Sequence, residues 1–342
     1  MKQFREKEII KIGGDTFKRG QRKRSQIEVA SLYDYTKLNI PLEVIRGKKE
    51  GPVLFISGAI HGDEINGVEI VKEVLHSSKL RSLKGTLIAV PVVNVFGFNA
   101  KSRYLPDRRD LNRCFPGNPN GSLGTRLAHI FMEEIVEHCS HGMDFHTGAI
   151  HRSNLPQIRA SLDDEATQKL AKDFGATVIL DSKLRDGSLR EAAREHDVKT
   201  LLYEGGEALR RDDWAIKSGV KGCLSVMRSI GMLPPSKSTS QNSKKKESFV
   251  AKDSYWVRAS RSGTFHARKR IGDHVKENEV LGIISDPFGR ETEKIFAEDT
   301  GIVIGQSTLP LVNKGDAILH LATFSNAKKV HAAIELMDEE LI

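Results

Sequence analysis

Cysteine is scarce and scattered. The 342-residue chain holds 3, Cys114, Cys139 and Cys223, with no CxxC spacing among them. Structural disulfides are therefore not expected, and a reducing cytosol is the default compartment. Long apolar runs are also missing. The longest, such as Val53 to Ile56 and Leu87 to Val93, are strand-length and far short of the ~20 residues that cross a bilayer. The opening MKQFREKEII mixes both charge signs around no apolar segment, so no secretory signal is expected. Aromatic residues are absent from the two basic runs, Lys18 to Arg24 and Lys244 to Lys246. A base-stacking surface would interleave them, so both runs read as solvated loops and no nucleic-acid partner is expected.

What remains is an ordinary globular composition, 39% hydrophobic and 29% charged, long enough at roughly 150 residues per domain for two domains. The net charge of +8, from 53 basic and 45 acidic residues, also suits a small anionic substrate. One linker signal divides the chain. Leu233 to Ser248, LPPSKSTSQNSKKKES, is rich in Pro, Ser and Lys and nearly devoid of apolar residues. The expected organisation is 1–232, a linker at 233–248, and 249–342.

The first part alternates strand and helix patterns. Pro41 to Arg46, Val53 to Ser57, Leu87 to Val93, Gly142 to His146, Thr177 to Leu180 and Lys199 to Tyr203 read as strands. Glu64 to His76, Gly124 to His138, Asp163 to Phe174 and Ser188 to His196 read as helices, with apolar residues at helical spacing in the first two. This predicts an α/β fold, a mixed sheet with helices on both faces. The mixture is expected because only a short Gly-containing turn separates Pro41 to Arg46 from Val53 to Ser57, which suits an antiparallel hairpin. The second part contains an echo: Ser262 to Ile284 and Thr300 to Leu321 share one pattern of small, Gly and paired apolar residues. Two copies predict a small all-β, barrel-sandwich-like domain with pseudo-twofold symmetry. It resembles lipoyl and biotinyl carrier folds, but its one lysine between the halves, Lys294, lacks the flanking residues of a carrier site.

Chemistry concentrates at strand ends. SGAIHGDEING, Ser57 to Gly67, places His61 and Glu64 three apart after an apolar strand. Ligands bind at such ends in α/β sheets, and zinc in hydrolytic sites commonly takes two His and one Glu with a position left for water. HxxE is short and recurs by chance, so a third ligand is needed. MDFHTG offers one, because His146 ends a strand as His61 does. The stretch RYLPDRRDLNRCFPG, Arg103 to Gly117, packs Arg103, Arg108, Arg109, Arg113 and Asn112 into a turn-rich segment with apolar residues that fix it; guanidinium groups held this way bind carboxylates. Finally KTLLYEGGE ends an apolar strand in Glu204, a candidate acid-base group, with Glu207 a nearby competitor.

In this order, SGAIHGDEING, RDLNRCFPG, DFHTG and LLYEGGE resemble the succinylglutamate desuccinylase/aspartoacylase family of the zinc carboxypeptidase clan, over roughly 43–232. The resemblance implies a carboxypeptidase-like fold and one Zn2+ per chain, held by His61, Glu64 and His146. It implies Glu204 as general base, Asn112 and Arg113 as a carboxylate clamp, and a further arginine preceding that pair. Arg103 and Arg109 compete for that last place. The expected activity is hydrolysis of the amide of an N-acyl amino acid or related small amide. A peptide-trimming metallocarboxypeptidase and an inactive binding protein of the same fold are the alternatives. Expected partners are a small anionic substrate, with neither nucleic acid nor membrane; a homo-oligomer stays open.

Overall fold

The computed structural model describes residues 9–235 and 247–339. Most of the linker expected at 233–248, including Lys244 to Lys246, lies outside the described residues. A ten-strand path runs through the large sheet in the order Asp253–Arg258, Ala317–Thr323, Gly301–Ser307, Arg152–Ala160, Lys199–Glu207, His141–Gly148, Lys49–Gly58, Lys84–Val90, Lys37–Arg46, Arg22–Ser31. Its centre is parallel: Lys199–Glu207, His141–Gly148, Lys49–Gly58 and Lys84–Val90 pair in that sense. Strands buried on both faces need apolar residues at successive positions, and VLFI and LIAV supply them. Val53 and Phe55 face one apolar cluster with Leu127, Phe131 and Leu189. Leu54 and Ile56 face the other, with Ile70, Leu170, Phe174 and Ile216. Helices Leu123–Glu134 and Leu189–Glu195 thus cover one face, and Ile65–His76, Glu165–Phe174 and Asp213–Ser229 the other. The fold is a mixed α/β sheet with helices on both faces.

The sheet is mixed for a different reason than the expected hairpin. Lys37–Arg46 and Lys49–Gly58 do not pair with each other. Lys84–Val90 lies between them, antiparallel to the first and parallel to the second. Leu87 to Val90 are all buried, and an inserted central position covers both faces of that run. At the crossing the Gly47 amide donates to the Gly85 carbonyl at 2.8 Å. The basic run Lys18 to Arg24 is also not wholly loop. Arg22 and Arg24 stand on strand Arg22–Ser31, and both pair with Glu43.

Beyond the linker the two echoes build one β-unit. Gly263–Ala267 pairs with Val280–Ser285 in the first, and Gly301–Ser307 with Ala317–Thr323 in the second. Each also lends a short strand to the other: His274–Val275 pairs with Gly301–Ser307, and Leu311–Val312 with Gly263–Ala267. Lys294 lies inside strand Thr292–Phe296 rather than at a turn. This unit does not stand apart from the large sheet, because Gly305 pairs with Asn154 across the junction. Among the described residues no helix is long and apolar enough to cross a membrane.

Candidate metal and acid-base site

Three strand ends and one loop converge at the carboxyl edge of the parallel strands. His61 follows strand Lys49–Gly58, and Glu64 immediately precedes helix Ile65–His76. Gly67, in the first turn of that helix, permits the convergence. A Cβ there would lie 2.4 Å from the Phe145 carbonyl oxygen, so only glycine lets the helix approach strand His141–Gly148. His146 sits on that strand.

His61, Glu64 and His146 offer ligand atoms that all lie within 4.8 Å of one another, and all three are buried. The Nδ1 atoms of the two rings are 3.1 Å apart. Each lies 2.8 Å from a different oxygen of Glu64. Each far nitrogen, Nε2, meets a carboxylate: Asp144 at 2.5 Å for His146, Asp110 at 3.1 Å for His61. Those aspartates are held in turn, Asp144 by the Ser57 hydroxyl at 2.8 Å and Asp110 by Arg103 at 3.1 Å and the Asn112 amide at 2.8 Å. A ring that donates its Nε2 proton to a carboxylate keeps its Nδ1 lone pair free for a metal. Two such lone pairs and a carboxylate aimed at one point repel unless a cation or protons lie among them. The 3.1 Å spacing is near the ~3.3 Å separating two ligand atoms that each sit about 2.0 Å from one tetrahedral ion. The donor set, two nitrogens and a carboxylate, fits zinc.

The electrostatics agree. Burial alone would lower the pKa of both histidines, but Glu64 and Asp110 around His61, and Asp144 and Glu64 around His146, more than offset it and raise both. Against its own burial, Glu64 is held well below the usual carboxylate range by the two rings. His61 and Arg103 hold Asp110 down in the same way. Imidazoles held among carboxylates in this way lie in a negative field, where a dication can take the place of their protons.

Beside this cluster is a cavity of about 90 Å³, walled by Glu204, Leu202 and five arginines, Arg103, Arg113, Arg159, Arg185 and Arg190. Glu204 lies on Lys199–Glu207, its backbone directly across from His146. Glu207, the competitor, turns outward to the His151 amide and the Thr308 hydroxyl. Arg103 reaches Glu64 and Asp110, both at 3.1 Å. Arg109 does not reach the cavity. It is 57% exposed and pairs with Asp107 at 3.6 Å. Asn112 lines the wall, and its side-chain oxygen accepts from the Leu189 backbone amide at 2.9 Å, which ties the arginine loop to helix Leu189–Glu195. Arg113 is braced on the Asn112 carbonyl at 2.5 Å. A larger cleft, about 690 Å³, runs past Arg22, Lys48 and Arg81. No carboxylate lines it, so volume alone does not locate the chemistry.

Arg159, Arg185, Arg190 and Asp110 were not singled out from the sequence. Arg159 follows a proline in a strand that pattern reading passes over, and Arg190 falls on a helix whose sequence reads as polar and solvated. Burial, with Arg159 nearby, lowers the Arg190 guanidinium to about 10.

The fold recurs in known proteins. A family model described as the succinylglutamate desuccinylase/aspartoacylase catalytic domain matches residues 50–230. The chain is 26% identical over 299 residues to the N-alpha-acetyl-L-2,4-diaminobutyric acid deacetylase of Halomonas elongata, covering 83% of this chain and 85% of that protein. Among solved structures it is similar in fold to a succinylglutamate desuccinylase/aspartoacylase from Rhodobacter sphaeroides, with a TM-score of 0.79 and 23% identity over 90% of this chain and 97% of that one. The product-bound ectoine utilization protein EutE (DoeB) of Ruegeria pomeroyi gives a TM-score of 0.78 at 24% identity, covering 89% and 96% respectively.

Proposed function

Because this chain belongs to the succinylglutamate desuccinylase/aspartoacylase family, we propose that it is a zinc-dependent amidohydrolase that cleaves the amide bond of an N-acyl amino acid, a linear amide rather than a peptide. The supporting observation is the convergence of His61, Glu64 and His146 beside Glu204 in one arginine-walled cavity. In this reading 1–232 forms the catalytic unit, 249–342 the β-unit and 233–248 the link between them. Buried free cysteines are in keeping with a reducing cytoplasm.

His61, Glu64 and His146 would hold one zinc ion, with Asp110 and Asp144 orienting the two rings. When bound, that ion supplies Lewis-acid polarisation of the scissile carbonyl and lowers the pKa of a bound water toward ~7. Glu204 takes a proton from the attacking water and later delivers it to the departing amine, leaving a carboxylic acid and a free amine. Arg113 and Asn112 would hold the substrate carboxylate. Arg103, between Glu64 and Asp110, would stabilise the developing oxyanion.

The cavity also argues about the substrate. About 90 Å³ favours a small amide over a peptide. The relative's name implies a substrate with a free side-chain amine. Five guanidinium groups here disfavour a second cation and favour an anionic substrate. A panel of N-acyl amino acids with acidic, neutral and basic side chains, assayed with zinc-loaded protein for amine release, tests this. Turnover of acidic or neutral members with little of basic ones supports the reading. Release from peptides alone would favour the carboxypeptidase alternative, and release from none the binding protein.

A further inference from the structure

Glu204 stands on Lys199–Glu207 but is held from the neighbouring strand. Asn154, buried on Arg152–Ala160, donates its Nδ2 to Glu204 Oε2 at 2.6 Å. On the other oxygen, Arg159 Nε approaches Oε1 to 3.2 Å without hydrogen-bond alignment. Among the described residues, Asn154 is therefore the hydrogen-bond donor that fixes the rotation of the Glu204 carboxylate.

Asn154 also lies on a seam. The outer neighbour of Arg152–Ala160 changes along its length. Ser153 and Asn154 pair with Gln306 and Gly305 of the C-terminal unit, whereas Gln157 onward pairs with Val178–Asp181. Pro156, with no N–H to offer either partner, sits at the changeover. Opposite Asn154, a Cβ on Gly305 would lie 2.8 Å from its Oδ1 and 3.2 Å from the His320 Cβ. A hydrogen at that position leaves the carboxamide room to keep its oxygen toward Gly305 and its amine on Glu204.

We propose that Asn154 is a positioning residue for Glu204, and that Gly305 of the C-terminal β-unit holds Asn154 in place, so that this unit completes the catalytic arrangement. The proposal rests on Glu204 being the acid-base group. An amide donor on Oε2 fixes the plane of the carboxylate and leaves Oε1, beside Arg159, as the oxygen that exchanges the proton. An acid-base group acts only from the right geometry, and losing a partner that orients a reactive group costs about 10- to 100-fold.

The test compares Asn154→Ala and Gly305→Ala, each alone and combined with Glu204→Gln, reading kcat, KM, zinc content and melting temperature. Gly301→Ala is the control: its Cβ would press on the Ala322 carbonyl oxygen at 2.5 Å on the same strand without touching Asn154. The expected result is a kcat loss of about 10- to 100-fold for Asn154→Ala and a smaller loss for Gly305→Ala, with KM and zinc content unchanged. Gly301→Ala should lower the melting temperature alone. With Glu204→Gln already present, neither variant should lower kcat further, because residues acting as a unit are not additive. If Asn154→Ala does not fold, Gly305→Ala carries the same two comparisons. Unchanged kcat per zinc-loaded enzyme, or a loss that persists in full beside Glu204→Gln, would overturn the proposal. Full kcat in Glu204→Gln itself is a separate outcome and overturns the base assignment instead.

Discussion

The Nδ1 atoms of His61 and His146 stand 3.1 Å apart with their rings at 63°, on residues 85 positions apart in sequence. Each ring is turned by an aspartate on its far side, and the Glu64 carboxylate bridges the near sides. Purified protein should bind about one zinc per chain, and His61→Ala or His146→Ala should lose it, since each leaves two protein ligands where a catalytic zinc keeps three. Asp144→Asn should keep the stoichiometry but weaken affinity by about 10- to 100-fold. Competition with a chromophoric chelator measures both. Full zinc retention by both histidine variants would remove the ligand assignment.

Metal-free protein should have a stability window set by the same residues. His61 and His146 are raised above the ordinary value of 6.5, so their contribution is complete below 6.5 and is lost as pH climbs through the raised values. Glu64 and Asp110 are lowered from 4.5 and 3.8, so theirs is complete above those values and is lost as pH falls. The melting temperature in chelator should therefore decline on both the acid and the alkaline side. Zinc should remove the alkaline decline, because it replaces the protons between the rings. An alkaline decline that zinc leaves untouched would contradict this coupling.

Arg113→Ala should weaken substrates carrying a free α-carboxylate by roughly 10- to 150-fold in kcat/KM, equal to ~1.5–3 kcal/mol for a charge-assisted contact. The same amides esterified should suffer far less, because a guanidinium fork matches two carboxylate oxygens. Lys should rescue partly. Arg103→Ala should be costly, and Arg109→Ala, on the exposed side of its loop, nearly silent. Equal loss on acid and ester would mark Arg113 as a support for the loop alone.

Helix Asp213–Ser229 carries Gly219 and Gly222, and in an isolated helix Gly→Ala stabilises by about 1 kcal/mol. Here Gly222→Ala should destabilise by ~1–3 kcal/mol, because its Cβ would lie 2.1 Å from the Phe174 ring. Gly175→Ala provides no parallel, since its φ of +81° is itself unfavourable for alanine. Chemical denaturation of Gly222→Ala checks the sign, and a more stable variant would show that the helix can withdraw from Phe174.

These glycines also explain what the sequence hid. The central strands were legible because parallel strands buried on both faces are unbroken apolar runs, and the strand-end residues His61, His146 and Glu204 were legible with them. Helix Asp213–Ser229 was not, because two glycines that serve contact with Ile70 and Phe174 read as helix breakers. Strand Arg152–Ala160 was hidden by Pro156 and by polar residues that serve the site, and Arg159 and Asn154 were hidden with it. The insertion of Lys84–Val90 between two sequence neighbours is a long-range choice that a local turn does not reveal. Two candidates for one role, Arg103 and Arg109, differ only in which way a loop carries them.

The most direct test of the account is Glu204→Gln, measured for zinc content and for turnover of an N-acyl amino acid in the same preparation. The account predicts about one zinc per chain, unchanged KM and a kcat lower by about 10²- to 10⁴-fold. Full turnover with zinc intact would contradict it and move the acid-base step to another residue.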